Sequence, residues 1–433
     1  MKLESMKVDE LLIENFKGID SLKFRPRLLN IIVGRNNTGK TSILEAIATM
    51  FNPDFLKTQY TNTPSSIINY SVDSCKIEAF LENEGPENIF INVMKLNAQE
   101  VFEKLSEQVL MSAEYLQSSF IKFGLNTKKK DNKEHEALKH FVSFKPSELK
   151  QLIQAAINDA LSDDIINKII QESVKVSYEE KKKYYLGRIF EETILKILYS
   201  ALEKISISKG IIDSLMTIKR FENELENELP SKFSTGAAFS SGKCYNVILV
   251  SEPLEYLRKI LNKNEGNQEL ALKIEEILKV DNIIPNLLRF DFTEIVFETE
   301  HGRRSVKFNR MGDGFQTLVA VLALLKSIND SQSILLIEEP EVHMHPGYVR
   351  QLVKYLAQVS ESLKVQFFIT THSYDLIESL LEDNLPVNMK SFLHKNLLFL
   401  RLNRIESNVV GEMIGYDEAL SHISDLLLDL RGI

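Results

Sequence analysis

The sequence predicts an α/β fold that is interrupted by a large helical insertion. Three observations support this prediction. A glycine-rich segment at residues 34–41 lies between an apolar run suited to a buried strand and a stretch with helical spacing. Two more apolar runs, at residues 334–341 and 365–373, have the length of buried strands and end in polar residues. Between these regions, apolar residues recur at steps of three and four over residues 97–229, so a helical segment separates the strand-rich parts.

Composition excludes several classes of protein. The net charge of −9 disfavours a general nucleic-acid binder, although the 52 Lys and Arg residues leave a local basic groove open. No apolar run approaches the ~20 residues that span a bilayer, and the first residues lack the apolar core of a signal peptide. Cys75 and Cys244 form no zinc pattern, and so few cysteines suit a reducing compartment. We therefore expect a cytoplasmic protein that does not contact a membrane.

The glycine-rich segment has the spacing G-x-x-x-x-G-K-[ST] of a phosphate-binding loop. Its residues are Gly34, Arg35, Asn36, Asn37, Thr38, Gly39, Lys40 and Thr41. Glycine lets the backbone approach phosphates closely, and the following helix N-terminus adds unpaired N–H groups and partial positive charge. We expect Lys40 to contact the β- and γ-phosphates of a nucleotide and Thr41 to offer its hydroxyl to Mg²⁺.

Carboxylates at the end of the run 334–341 supply what a phosphate-binding loop needs from a second strand. One carboxylate orients the Mg²⁺ shell, and the next polarises the attacking water. We therefore expect Glu338 to bind the metal and Glu339 to act on the water. His372 ends the run 365–373, and a histidine at a strand end beside a nucleotide is placed to hydrogen-bond the γ-phosphate.

A glycine-bearing turn precedes an apolar helix that is predicted over residues 317–325. The turn contains Gly312, Asp313 and Gly314. A turn of this kind at a helix N-terminus binds anions. We expect the anion to be the γ-phosphate of a nucleotide that is held by a second subunit.

Other segments outside the insertion have the alternation and turn residues of strands. They predict one hairpin from residues 76–81 and 89–94, a second from 290–299 and 304–308, a buried strand at 245–250, and a strand at 397–402 before a terminal helix. Residues 231–242 are a Ser/Gly-rich loop that is either mobile or in contact with a ligand.

Within the insertion, apolar stripes predict a helical bundle without the sustained heptads of a long coiled coil. One stripe contains Leu105, Val109, Ala113, Leu116 and Phe120, and another contains Leu186, Phe190, Ile194, Ile197, Ala201 and Ile205. A third amphipathic stretch covers residues 148–172, with Ser147 as its predicted N-cap. Residues 128–130 form a lysine cluster that we expect to be solvated surface.

The order of phosphate loop, glycine turn, paired acids and strand-end histidine resembles the ABC-class ATPase heads of the SMC, RecF and OLD families. It resembles more closely the stand-alone AAA-type ATPases of that branch. The same resemblance extends to residues 12–17, 338–346 and 425–431, and it covers about residues 1–95 and 287–433 in all. It implies a P-loop NTPase head of ABC type, with a mixed central sheet and an antiparallel β subdomain. We expect an N-terminal lobe at 1–96, a helical insertion at 97–286 and a C-terminal lobe at 287–433.

The resemblance also implies a mechanism and a set of partners. Two heads would sandwich two ATP molecules with Mg²⁺, each ATP lying on one head's phosphate loop and the other head's glycine turn. Lys17 and Ser42 would join the nucleotide-binding residues. The expected assembly is a homodimer, with higher oligomers and DNA binding left open. OLD-type nucleases carry a C-terminal Toprim domain, whereas 61 residues (433 − 372) follow His372, so we expect a separately encoded effector such as a nuclease.

Two further functions remain open beside a switch ATPase of genome defence or maintenance. One is a RecF-like recombination mediator, and the other is the nucleotide-binding subunit of a transporter. The sequence departs from the family pattern at the glycine turn, where Gly312 replaces the usual serine, and this predicts either slow hydrolysis or a compensating change at a second site. Glu338 replaces the commoner aspartate, and the glutamine that usually links the helical lobe to Mg²⁺ has no assigned position. His343 and His345 alternate without a third ligand, so an interface loop is a better interpretation than a metal site.

Overall fold

The computed structural model describes most of the chain in two compact units. The described residues are 7–51, 54–60, 63–82, 87–123, 132–178, 182–186, 188–205, 207, 237–238, 244–262, 267–328, 333–406 and 408–424. The first unit comprises Met1–Asn52, Lys76–Phe90 and Thr235–Ile433, and the second comprises Pro53–Cys75 and Ile91–Ser234.

The described strands are β1 (Lys7–Phe16), β2 (Ile19–Phe24), β3 (Leu29–Gly34), β4 (Ser74–Glu82), β5 (Glu87–Lys95), β6 (Val174–Tyr178), β7 (Lys182–Leu186), β8 (Ala237–Ala238), β9 (Cys244–Val250), β10 (Leu287–Phe290), β11 (Glu294–Thr299), β12 (Gly302–Lys307), β13 (Ser333–Glu338), β14 (Gln366–Thr370), β15 (Leu397–Ile405) and β16 (Asn408–Gly415).

The described α-helices are α1 (Lys40–Phe51), α2 (Asp54–Gln59), α3 (Ala98–Phe123), α4 (Asn132–Ser143), α5 (Pro146–Ala160), α6 (Asp163–Glu172), α7 (Arg188–Glu203), α8 (Pro253–Asn262), α9 (Asn267–Val280), α10 (Asp313–Ser327), α11 (Pro346–Leu363), α12 (Tyr374–Leu381), α13 (Val387–Asn396) and α14 (Tyr416–Ser424). Short 3₁₀ turns lie at Pro64–Ile67 and Phe308–Arg310.

A mixed seven-stranded sheet forms the centre of the first unit, with strand order β16-β15-β3-β14-β13-β9-β8. The strands from β15 to β9 in this order are parallel, whereas β16 and β8 pair antiparallel at the two edges. Every residue of β3 and of β14 is buried, as expected for parallel strands that are covered on both faces. This mixed sheet, together with the antiparallel strands below, confirms the predicted P-loop NTPase head of ABC type.

Helix α10 is a core element of the first unit. Its residues from Thr317 to Leu325 are all buried, because the helix is apolar around its whole circumference. Its neighbour α11 begins with Pro346 at the first helical position, and His345 is its N-cap, with Nδ1 accepting from the N–H of Gly347 at 3.2 Å. These helices pack in the core that covers the central sheet.

The first unit also contains antiparallel strands outside the central sheet. Strand β1 pairs with β2 on one side and with β4 on the other. Strands β10, β11 and β12 form a separate sheet, and the hairpin predicted around residues 301–302 is confirmed as β11 and β12. The strand predicted at 397–402 is confirmed as β15, whereas β16, which folds back on β15 before the terminal helix, was not predicted. Half of the residues of β16 are exposed and only two are buried, so the strand lacks a regular apolar signal.

The second unit has a helical core of its own. The stripe predicted on α3 is confirmed, since Leu105, Val109, Ala113 and Leu116 are buried with residues of α5 and α7. The predicted stretch over residues 148–172 is two helices, because the chain breaks at Leu161 and Ser162 caps α6 through its hydroxyl.

Three details of the predicted insertion are wrong. The first helix of the broken stretch begins at Pro146, so Lys145 is its N-cap and Ser147 lies inside the first turn. Leu186 ends β7, because the polar and aromatic run before it pairs antiparallel with β6. Ile205 lies beyond the end of α7 at Glu203. The helical stripe was therefore predicted too long at both ends.

Some predictions fall on residues outside the described part of the chain. These are the lysine cluster at 128–130, most of the loop 231–242 and the family-like tail at 425–431. The three-part division at residues 96 and 286 stays a prediction.

Cys75 is buried, and burial raises the pKa of its thiol to about 12, as expected for an unreactive side chain.

Candidate nucleotide-binding site

The glycine-rich loop connects the buried strand β3 directly to helix α1. Lys40, the first residue of α1, is only 7% exposed, and its amine donates to the carbonyls of Gly34 and Arg35, both at 2.9 Å. The hydroxyl of Thr38 also donates to the carbonyl of Arg35, at 2.8 Å. The loop is thus wrapped around the lysine amine at the N-terminus of a helix, which is the arrangement that binds phosphates.

Two glycines of the loop are required by its geometry. Gly39 has φ of 92°, a conformation that side chains rarely adopt. At Gly34, a Cβ atom would lie 2.5 Å from the carbonyl oxygen of Leu402 on the neighbouring strand β15. The close pairing of β15 with β3 therefore explains the first glycine of the motif, and the tight turn before α1 explains the second.

The paired acids lie at the end of β13, beside this loop. The hydroxyl of Thr41 donates a hydrogen bond to Oε1 of Glu338. Glu339 has φ of 43°, and its N–H donates to the carbonyl of Thr370 at 3.0 Å. Because β13 and β14 are parallel and in register from Ile334 to Glu338, their carboxyl ends meet at one edge of the sheet.

His372 follows β14 at the same edge. Its Nε2 lies 3.4 Å from Oε1 of Glu339, and each of these side chains is 36% exposed. The structure therefore brings together Lys40, Thr41, Glu338, Glu339 and His372. Burial lowers the pKa of Lys40, whereas the negative charges of Glu339 and Glu338 act on this pKa in the opposite direction.

The other predicted nucleotide-binding residues lie in the loop or next to it. Arg35, Asn36 and Asn37 are exposed, and Ser42 is half-buried in the first turn of α1. Lys17 lies in the turn between β1 and β2 with φ of 52°, and its amine forms an ion pair with Glu45 on α1.

The glycine turn caps α10 in the way that was predicted for 312–314. Gly312 is the N-cap, with φ of −59°, and its carbonyl accepts from the N–H groups of Phe315 and Gln316. Gly314 contacts the loop after the paired acids, where a Cβ atom would lie 2.2 Å from the carbonyl oxygen of His343. The contacts that the structure describes for this turn are thus with the following loop of the same chain.

Sequence reasoning missed two contributions to this region. Arg404 on β15 donates from Nη1 to the carbonyl of Asn37 at 3.1 Å, so a distant strand supports the phosphate loop. Glu341 is buried, and its carboxylate accepts a hydrogen bond from the hydroxyl of Thr371. The third acid in the run Glu-Glu-Pro-Glu was a signal for Glu341, whereas no sequence signal marks Arg404.

Comparison with known proteins agrees with this geometry. The family model of the AAA ATPase domain matches residues 6–377. The chain belongs to the AAA ATPase domain family. The resemblance to ATPase heads of the SMC, RecF and OLD type, predicted from the order of the motifs, is thereby confirmed.

Three relatives illustrate the range of this AAA ATPase domain. Endonuclease GajA of Bacillus cereus is 20% identical over 81% of this chain, which spans 52% of GajA. An ATP/GTP phosphatase of Helicobacter pylori is 21% identical, with 90% of this chain and 91% of that protein covered. The DNA replication and repair protein RecF of Rickettsia canadensis is 22% identical over 87% of this chain and 97% of RecF. The chain thus spans about half the length of GajA but nearly all of the other two.

Proposed function

We propose that the protein is an ATP-binding and ATP-hydrolysing switch of the SMC, RecF and OLD type. The observation that carries this proposal is the convergence of the phosphate loop, the acids at the end of β13 and His372 at the carboxyl end of the parallel strands of the central sheet. Membership of the AAA ATPase domain family and the relationship to an ATP/GTP phosphatase support nucleotide hydrolysis as the reaction.

The side chains present fit a nucleoside triphosphate with Mg²⁺. The N-terminus of α1 and the amine of Lys40 present positive charge to phosphate oxygens. The hydroxyl of Thr41 and the carboxylate of Glu338, which contact each other, are oxygen ligands of the kind that Mg²⁺ takes. When bound, the metal supplies neutralisation of the charge on the phosphates. The remaining loop residues that would line the site are Gly34, Arg35, Asn36, Asn37, Thr38, Gly39 and Ser42.

Glu339 and His372 are the proposed catalytic pair, with Lys40 as the phosphate-binding cation. Both members of the pair are open to water from one side, since about a third of each side chain is exposed. Glu339 would orient the attacking water and accept its proton. His372 would hold the Glu339 carboxylate and hydrogen-bond the γ-phosphate, so that the water and the phosphate meet in a fixed geometry.

A partner copy of the chain is proposed to complete the site. The turn at residues 312–314 lies at the N-terminus of α10 and so offers backbone N–H groups to an anion. Within one chain, its described contacts are with the loop at His343, which leaves its N-terminal end for a nucleotide held by a second head. ATP binding would close a homodimer and hydrolysis would release it, with assembly into higher oligomers left open.

The switch is proposed to act in DNA-linked defence or genome maintenance through a separately encoded effector, such as a nuclease. Support for a DNA link comes from the relatives, since GajA is an endonuclease and RecF is a DNA replication and repair protein. Purified protein with DNA and Mg²⁺ or Mn²⁺ is expected to leave the DNA uncut. Strong cleavage by the protein alone would contradict the separate effector.

A RecF-like recombination mediator is the second candidate, because the match covers 97% of a RecF protein. Such a mediator would bind DNA directly in an ATP-dependent manner, and this affinity would fall steeply with salt. Measurement of DNA binding at several salt concentrations, with and without ATP, separates this function from an effector-linked switch.

The ATPase proposal is tested by phosphate release from the wild type and from Lys40→Ala. The buried amine holds the loop and faces the phosphates, so its loss should abolish ATP binding and hydrolysis. Lys364→Ala, at the solvent-exposed end of α11, is the matched control and should behave like the wild type. Unchanged ATP affinity in Lys40→Ala would remove this lysine from the site.

A further inference from the structure

Glu341 follows the paired acids and is almost completely buried, with 6% of the residue exposed. One carboxylate oxygen accepts a hydrogen bond from the hydroxyl of Thr371. The other oxygen, Oε2, is buried and has no hydrogen-bond partner among the described residues. Burial raises the pKa of Glu341 to about 7 against the opposing effect of the Thr371 hydrogen bond. A carboxyl in such a place is costly for stability, so its presence calls for an explanation other than packing.

Thr371 connects Glu341 to the strand end that carries the histidine. Its hydroxyl donates to Glu341 and accepts from the N–H of Ser373 at 2.9 Å. Its own N–H donates to the carbonyl of Ile32 on β3 at 3.1 Å. His372 lies between Thr371 and Ser373 in the chain. The backbone on both sides of His372 is therefore held by contacts of Thr371, and the hydroxyl of Thr371 is in turn hydrogen-bonded to Glu341.

Glu341 also begins the loop that faces α10. Its carbonyl accepts from the N–H of Met344 at 2.9 Å, in a turn where His343 has φ of 66°. Gly314, in the first turn of α10, lies against this turn with no space for a side chain, as its close approach to His343 shows. The side chain of Glu341 thus contacts the segment that carries His372, and the loop that begins at Glu341 contacts α10, the helix that begins with the glycine turn.

We propose that Glu341 is a positioning residue, which holds His372 against Glu339 through Thr371 and links this pair to the first turn of α10. The inference rests on the ATPase function proposed above. It gives Glu341 no contact with the nucleotide. Because a displacement of ~1 Å at reacting groups costs about 10²-fold in rate, loss of this contact should slow turnover and leave ATP binding nearly unchanged.

The test measures kcat and the Kd for ATP in the full chain for Glu341→Ala, Thr371→Val and the double variant. We expect kcat to fall about tenfold or more in each, with Kd within about threefold of the wild type. The double variant should lose no more than the worse single variant, because both changes remove the same contact. Glu341→Gln keeps a carbonyl oxygen for the Thr371 hydroxyl, so it should restore most of kcat.

Thr370→Val is the matched control. Thr370 is the preceding residue and equally buried, but its hydroxyl has no hydrogen-bond partner among the described residues. This variant should therefore keep the wild-type kcat. Equal losses of turnover and ATP binding, additive losses in the double variant, or wild-type kcat in Thr371→Val would each overturn the positioning role.

A folding defect, a failure of the ATPase proposal and a failure of the positioning role give different results. If Glu341→Ala melts well below the wild type, Thr371→Val and the rescue by Glu341→Gln decide the question. If the wild type hydrolyses no ATP, the proposed function fails. If the wild type hydrolyses ATP and Thr371→Val does so equally well, only the positioning role of Glu341 fails.

Discussion

At the scale of single residues, the glycine turn departs most clearly from the expected pattern. The resemblance to ABC-class heads places a serine where this chain has Gly312. The backbone does not require glycine there, since φ is −59° and a Cβ atom would meet nothing within 4 Å. By contrast, Gly314 is required, because a Cβ would lie 2.2 Å from the His343 carbonyl oxygen. Packing therefore requires a glycine at position 314 but not at position 312.

The variant Gly312→Ser tests this distinction. Serine is a good N-cap, so the substitution should leave the melting temperature unchanged or raise stability by a few tenths of a kcal/mol. It should also speed ATP hydrolysis if the turn contacts a γ-phosphate across a dimer, because it adds a hydroxyl donor there. Phosphate release and thermal unfolding are the measurements.

Gly314→Ser is the matched control at the other glycine of the turn. It forces a Cβ against the His343 carbonyl and should lower the melting temperature. A strongly destabilised Gly312→Ser, or a Gly314→Ser variant as stable as the wild type, would contradict the packing described here.

The site residues themselves were largely accessible from the sequence. Lys40 and Thr41 are identified by a motif whose spacing reflects phosphate geometry. Glu338 and Glu339 are identified by their position at the end of an apolar run, where a buried strand reaches its polar terminus. The contact between Thr41 and Glu338 joins segments far apart in the chain, and it becomes visible only in the folded sheet. The same holds for Arg404, since a basic residue at the exposed end of a strand carries no signal of what it supports.

At the scale of elements, periodicity predicts the buried strands well and the exposed ones poorly. Strands β3, β13 and β14 are mainly apolar, because both of their faces are covered. Strand β16 was missed, since only two of its residues are buried and it gains its partner by folding back on β15. The predicted helical stripe likewise included Leu186, but this residue belongs to β7, which pairs antiparallel with β6.

A buried amide joins two elements that no local pattern connects. Gln366, the first residue of β14, is 1% exposed. Its Oε1 accepts from the N–H of Val8 at 2.9 Å, and its Nε2 donates to the carbonyls of Val8 and Arg27 at 3.0 and 2.9 Å. The side chain thereby satisfies backbone groups at the start of β1 and before β3, which would otherwise be buried without partners.

Gln366→Leu should therefore destabilise the first unit by about 2–5 kcal/mol, because several backbone groups lose their partners at once. Thermal unfolding followed by circular dichroism measures the loss. Gln358→Leu, at an exposed position of α11, is the matched control and should change stability by about 0.5 kcal/mol or less. A melting temperature for Gln366→Leu equal to that of the control would show that these hydrogen bonds contribute little.

At the scale of the whole molecule, the proposed switch depends on two half-sites with separate places in the chain. The phosphate loop, Glu339 and His372 form one half, and the turn at 312–314 begins a different helix. The loop from Glu341 to Met344 contacts both regions, through the Thr371 hydroxyl and through Gly314. A single short segment would thereby join the proposed nucleotide chemistry in one half to the proposed dimer contacts at the other. Among the described residues, no helix has both the length and the apolar character needed to cross a bilayer.

The measurement that tests the central claim most directly is the solution mass of Glu339→Gln with and without ATP and Mg²⁺, by size exclusion with light scattering. The amide cannot accept the proton of the attacking water, so the variant should bind ATP, stall before hydrolysis and accumulate as a dimer. The account predicts a mass of twice 49.6 kDa with ATP and a smaller mass without it. Lys40→Ala in the Glu339→Gln background should abolish the shift. A mass of 49.6 kDa for Glu339→Gln at saturating ATP would contradict the ATP-closed dimer.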